Sequence, residues 1–570
     1  MTFLGEQTWF RSGDRSLEGW VHRPDDGHAI GAVVIAGPFA HEALVTYRAI
    51  RVLAVEAARR GFVAVRFSWS GTGDSEPAPT DADLAEVWQE DLTAAVELAR
   101  VTSGAESVDA IGVRFGASVV AAAGNSLRKR VLWEPLSGRA FLRMQSSLLK
   151  MHLPVGFPLS LHGVELCGYT LDEHAAASLR TLPDPRSADV SETFRGAQFV
   201  LDDDPQTAAD LFGREPNYAR VPLLSIERAL DALDALDGTS AIALPEWSPE
   251  RALISVDPAS GMQIRQTLLT IGSDRLPGIF TESIGGPPAA VAALFVPFSN
   301  DPKGVDRIAR ATSFRLAGGG IPTLRADRHG IGDAADPRDL AETTALLEAH
   351  SGDIAQFASW LTDRTGNTVV GIGLCSGAWL IARASALVPF QRLIMVNNQA
   401  WSLSPRYYER QRRILSGITT TAEDSGPTVS ALAPSREKLR QRLRHLVRQH
   451  APYVIRYRLF SLLDRDEIVE ELLKEVPEKT SISLLFGTDD QGHWDSSRGN
   501  DSLRRLRRRG RRIDVRYDPR ADHGLMSGAA FESYLELLDR EFDLPSPGTP
   551  TDADGARSRT CPNASDVAKT

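Results

Sequence analysis

Residues 368–384 read TVVGIGLCSGAWLIARA. A run of apolar and β-branched residues ends at Leu374 and a run of small and apolar residues starts at Ser376, so a buried strand passes directly into a helix. The turn between them is Gly373-Leu374-Cys375-Ser376-Gly377. Glycines on both sides make room for a sharply bent backbone that presents one side chain at the end of the sheet. Here that side chain is a thiol, and the N-terminus of the following helix favours its thiolate, the nucleophilic form. The competing reading, a small buried hydrophobe at a strand end, describes most free cysteines. The glycine spacing and the strand-to-helix context favour the reactive one.

Working outward, the chain follows the same script twice. In the first copy GAVVIAGPF ends at Pro38-Phe39, a helical segment follows, and FVAVRF leads to Ser70-Gly71-Thr72-Gly73-Asp74. In the second, AALFVPF ends at Pro297-Phe298 and IPTLRAD leads to His329-Gly330-Ile331-Gly332-Asp333. Arg66 and Arg325, Gly71 and Gly330, Gly73 and Gly332, and Asp74 and Asp333 match at one offset. Each copy continues with an amphipathic helix, an apolar strand, a glycine-flanked turn, a small-residue helix and another apolar strand. Such a tandem repeat of alternating strands and helices predicts two α/β domains with mostly parallel sheets covered on both faces. The Gly-Gly-Pro-Pro at Gly285 to Pro288 marks the expected split, giving domains over 1–285 and 286–545. The polar segment 546–570, with almost no large apolar residue, reads as a disordered tail, and Cys561 within it as an incidental thiol.

A thiol needs a base, and the base needs an orienting acid, in the chain order nucleophile, acid, histidine. SISLLFGTDD is an apolar strand that delivers a carboxylate to the sheet edge carrying the turn; Asp490 is the favoured acid and Asp489 the second choice. RIDVRYDPRADHGLM is a final short strand followed by a loop, which makes His523 the base; His493, nearer the acid, is the weaker candidate. The oxyanion of an acyl-transfer intermediate needs two backbone donors. The N–H of Ser376 is one, and Phe298 or Ser299 supplies the other.

The first copy has Gly112-Val113-Arg114-Phe115-Gly116 at the same turn. Arginine cannot attack a carbonyl, so the geometry persists without the chemistry and the first domain is a non-catalytic relative. Arg114 either binds a substrate carboxylate or phosphate, or forms an internal salt bridge.

The chain has 570 residues, of which 42% are hydrophobic and 24% charged. That length exceeds one core of about 250–300 residues. A formal net charge of −10 argues against a general nucleic-acid binder. Three cysteines provide no disulfide framework. With no signal-like N-terminus and no long apolar span, a cytoplasmic protein without a membrane span is expected. No metal or cofactor is called for.

These motifs resemble known families. GIGLCSGAW around Cys375 and LRADRHGIGDA upstream are similar to the first type of α/β hydrolase encoded with exosortase A systems. GPFAHEALVTYR, GVRFGAS and WEPLSGRAFLR are similar to the second type, in which Pro-Phe-x-x-Glu and Gly-x-Arg-x-Gly recur. Ser376 stands where an Asp is commoner in those relatives, and Ala334 where Ser is expected. The Gly-x-Cys-x-Gly turn also looks like that of dienelactone hydrolases and polyhydroxyalkanoate synthases, which use Cys, Asp and His. The resemblance implies two tandem α/β-hydrolase-fold domains, the second with a helical lid over roughly residues 401–480.

An acyl hydrolase or acyltransferase, working through a Cys375 acyl-enzyme on a small-molecule or carrier-bound acyl substrate, is therefore the expected function. Esterase, thioesterase and transferase activities share these residues. The alternative is a non-catalytic binding or assembly partner in polysaccharide or natural-product biosynthesis, on the pattern of the silent first domain. Two basic runs, one in the lid and LRRLRRRGRRID at 503–514, read as solvated helix faces or as docking surfaces for an acidic carrier protein or an anionic glycan precursor.

Overall fold

The computed structural model describes residues 5–545 except 125–126, 155, 158, 160–162, 187–196, 202–204, 213–218, 234–240, 258–259, 287–288, 299–306, 337–347, 405–407, 409–452 and 454–466. The tail, with Cys561, and most of the expected lid lie outside the described residues.

The first sheet has seven strands in the spatial order Glu6–Ser12, Arg15–His22, Phe62–Phe67, Gly31–Ala36, Val108–Val113, Leu127–Trp133, Ala197–Val200. An antiparallel hairpin opens it and the remaining strands run parallel. The second has nine, in the order Ala252–Val256, Gln263–Ile271, Leu276–Ser283, Thr323–Ala326, Val291–Val296, Thr368–Leu374, Arg392–Val396, Ser481–Phe486, Ile513–Tyr517. It too begins antiparallel and continues parallel. Continuous apolar runs become central strands because both faces are covered. In Gly31–Ala36, Ala32, Val34 and Ala36 enter one core while Val33 and Ile35 enter the core on the other face. Ala292, Leu294 and Val296 against Ala293 and Phe295 repeat the division. Helices occupy both faces, and two α/β domains, each built on a mostly parallel sheet, stand in tandem.

The domain boundary differs from the sequence expectation. The strands between Ala252 and Ser283 belong to the second sheet, so the Gly-Pro cluster at 285–288 lies inside the second domain and not between the two. Ala252–Val256 alternates exposed and buried residues, the pattern of a half-covered antiparallel strand. A search for continuous apolar runs passes over such a strand. The hairpin Gln263–Ser283 is the counterpart of Glu6–His22 in the first domain.

The domains face each other across a reciprocal pair of ionic contacts. Asp74 accepts from Arg325 at 3.0 and 2.5 Å and from Gln266 at 3.0 Å. Asp333 accepts from Arg66, and from Trp20 and Tyr47 at 2.8 Å each. The Arg66 guanidinium also lies 4.0 Å above the Trp20 ring. Because Arg66 matches Arg325 and Asp74 matches Asp333 in the repeat, the seam has the self-complementary form of a two-fold dimer interface built within one chain. Trp9 adds an apolar contact with Leu253, Leu268 and Ile279, and its backbone N–H donates to the Glu250 carbonyl at 2.9 Å. Among the described residues no helix is long and apolar enough to cross a membrane.

Candidate active site

The strand Thr368–Leu374 ends at Cys375, which takes φ 47° and ψ −114° before the helix Ser376–Ala384 begins. Arg114 has the same conformation in the first domain, φ 56° and ψ −117°. A side chain held at such angles costs about 1–3 kcal/mol and persists only where packing enforces it. The flanking glycines are that enforcement: a Cβ on Gly377 would strike the carbonyl oxygen of Val296, and one on Gly373 would meet Ala378.

Cys375 is partly exposed. His523, in the loop after the strand Ile513–Tyr517, has Nδ1 2.7 Å from Asp490 Oδ1, and its ring interacts electrostatically with Cys375. Asp490 is fully buried in the first turn of the helix Thr488–Ser496, whereas Asp489 beside it is exposed. His493 lies on the exposed side of that helix. Of the sequence candidates, the structure thus brings together Cys375, Asp490 and His523, and leaves Asp489 and His493 out. Burial opposes a charged imidazole at His523. The hydrogen bond to Asp490 and the electrostatic interactions with Asp490 and Cys375 outweigh it and raise the ring's proton affinity well above its ordinary value.

Ser376 opens its helix, so its N–H is one of the first-turn donors that no carbonyl of the helix can satisfy. Phe298 follows the strand Val291–Val296 and packs, half-buried, against the core on that face. Ser299 lies outside the described residues.

Asn397 and Gln399 were missed by the sequence reading. Asn397, at φ 52° past the strand Arg392–Val396, accepts from the Gly487 N–H at 3.0 Å and donates to the carbonyls of Asp522 and His523 at 2.8 and 3.0 Å. It fastens the acid turn to the histidine loop. Gln399 donates to Asp490 Oδ1 at 2.7 Å. Their signal is the polar Asn397-Asn398-Gln399 directly after the apolar run Leu393–Val396, where side chains gather at the sheet edge.

In the first-domain turn Arg114 makes the internal salt bridge that was one of its two expected roles. Arg114 donates to Glu42 at 2.9 and 3.2 Å, touches Met144, and covers the Phe212 ring at 4.5 Å. Glu42 is buried; burial lifts its carboxyl and Arg114 pulls it back only in part. A buried carboxylate demands its counter-charge, and the Pro-Phe-x-x-Glu segment places it beside Arg114. Aromatic rings fill the surrounding space, with Phe39 centred 4.9, 5.2 and 4.8 Å from Trp88, Phe115 and Phe141.

The basic run after the acid is also largely spent internally. Arg505 and Arg509 hold buried Glu470 at 2.8 and 2.9 Å, and Arg511 donates to the carbonyls of Lys474 and Val476. Cys167 is buried, and that burial, helped by the charge of Asp522, pushes its thiol up to about 12.

No protein-family model matches the chain, and no curated protein matches it. Among solved structures it is similar to a dienelactone hydrolase from Anabaena variabilis, at 14% identity and TM-score 0.32 over 52% of this chain and 98% of that one. The α/β hydrolase domain-containing protein 10 from mouse is similar at 19% identity and TM-score 0.30, over 49% and 98%. A thermostable carboxyl esterase from Bacillus coagulans is similar at 11% identity and TM-score 0.32, over 49% and 98%.

Proposed function

We propose that the second domain is an acyl hydrolase or acyltransferase acting on esters or thioesters through a Cys375 acyl-enzyme. The observation that carries this reading is the strained strand-to-helix turn that presents Cys375, together with His523, whose ring pairs with buried Asp490 and interacts electrostatically with that thiol.

In the proposed cycle His523 takes the thiol proton and Asp490 holds the imidazolium that results. The thiolate adds to the acyl carbonyl carbon, and the oxyanion is received by the N–H of Ser376 and that of Phe298 or Ser299. Collapse breaks the bond to the leaving alcohol or thiol, which takes its proton from His523. Water or another acceptor, deprotonated by His523, then releases the acyl group and restores the thiol. The same residues serve hydrolysis and transfer, and small-molecule and carrier-bound acyl groups both fit this chemistry.

A panel of p-nitrophenyl esters and acyl thioesters tests the reading. Turnover by the natural chain and its loss in Cys375→Ala is expected; equal turnover by both would place the chemistry elsewhere.

A further inference from the structure

We propose that the first domain positions the catalytic histidine of the second: its hairpin Val164–Leu171, joined by Arg307, clamps the loop that carries His523. The inference rests on the acyl-transfer reading above and assigns the silent domain a part in it.

The strands Val164–Leu166 and Tyr169–Leu171 pair antiparallel and turn at Cys167-Gly168. Hairpin tips ordinarily meet water. This one is buried: Leu166 and Cys167 are covered, and Gly168, at φ +87°, donates its N–H to the Met526 carbonyl at 3.1 Å. An isolated two-stranded hairpin is only marginally stable, so its fixed position comes from what it packs on. Leu166 and Tyr169 belong to the first-domain core, and the tip rests on the second domain.

Arg307, the first residue of the helix Arg307–Gly318, spans the seam. It donates to Thr170 Oγ1 and to the Ser527 carbonyl at 3.2 Å each, and its guanidinium lies 4.3 Å from the Phe531 ring centroid. The histidine loop is thereby held at both ends. Asn397 grips Asp522 and His523 from within the second domain. At the other end, Met526 and Ser527 take the hairpin and Arg307 on their carbonyls, while their N–H groups close on the Asp522 carboxylate at 2.8 and 2.9 Å. His523 lies between the two grips, facing Cys375 and Asp490. A displacement of about 1 Å in a catalytic group can cost about a hundredfold in rate, which is what such a clamp prevents. Arg307, Thr170 and Gly168 are positioning residues, since they act on His523 through its loop.

The test is alkylation of Cys375 by iodoacetamide in the full chain, followed across pH and assigned by peptide mapping. This readout reports the thiolate and needs no acyl chemistry. Arg307→Gln is expected to slow alkylation at neutral pH by about tenfold or more. Thr170→Val should slow it less, and Arg307→Lys should recover part of the loss. A folded Arg307→Gln chain with the natural rate overturns the clamp. Should that variant fail to fold, Thr170→Val decides, and an unchanged rate there overturns it. A natural chain that alkylates faster than Arg307→Gln yet takes no acyl group from any ester would sink the acyl-transfer reading and leave the clamp standing.

Discussion

Arg325 of the second domain closes on Asp74 of the first at 3.0 and 2.5 Å, and neither side chain reaches solvent. The reciprocal contact, Arg66 on Asp333, uses the matching residues of the other copy. Each Gly-x-Gly-Asp turn therefore completes its partner domain and not its own.

Removing one member of such a pair leaves a buried charge unpaired. Arg325→Met should lower stability by about 3–5 kcal/mol, and Arg325→Met with Asp74→Leu should recover most of it. Denaturant midpoints check this. A single variant as stable as the natural chain would mean that the seam is not held by these charges.

Arg114→Ala should uncouple stability from chemistry. It strands buried Glu42 and should cost about 3–5 kcal/mol, while the reactivity of Cys375 stays within about tenfold, or about 1.4 kcal/mol in barrier. Thermal melts and thiol labelling on the same sample separate the two effects. A larger loss of labelling in folded protein would give Arg114 a part in the chemistry.

His523→Ala should slow acylation of Cys375 by about 10²-fold or more. Asp490→Asn should slow it less, because the acid chiefly orients the ring. His493→Ala, at an exposed position, should leave it unchanged. Rates of labelling with an activated ester rank the three, and a dominant effect of His493 would mean the wrong base has been named.

Acid should weaken the fold through buried neutral histidines. Burial, more than the charge of nearby Arg328, lowers the His350 pKa to about 4, and burial lowers that of His41 to about 4. In each ring Nδ1 is buried with no hydrogen-bond partner among the described residues. The unfolded chain binds these protons near pH 6.5 and the folded chain refuses them until about 4, so stability falls as pH drops through that window. Each contributes up to about 1.4 kcal/mol per pH unit. His350→Gln should flatten the dependence of the urea midpoint between pH 7 and 5; an unaltered slope would mean that His350 does not set it.

Much of the fold and site is legible in the sequence because some constraints are local. Gly373 and Gly377 are dictated by contacts with Ala378 and Val296, so the turn carries its signature in a few residues. Asp490 and His523 follow from chain order once that turn is placed. The partner choice of Arg66 and Arg325 is different in kind, since the residues repeat visibly but nothing local says that each reaches across the seam. Ala252–Val256 escaped because an antiparallel strand with one open face has no continuous apolar run. The alternatives for Arg114 stayed open until Glu42 was found beside it, 72 residues away in sequence.

Peptide mass mapping after brief incubation with an activated ester tests the central claim most directly. One acyl adduct is expected, on Cys375, formed at neutral pH and lost slowly to water, with buried Cys167 unmodified. An adduct confined to Cys167 or Cys561, or a folded chain that takes no acyl group, would contradict it.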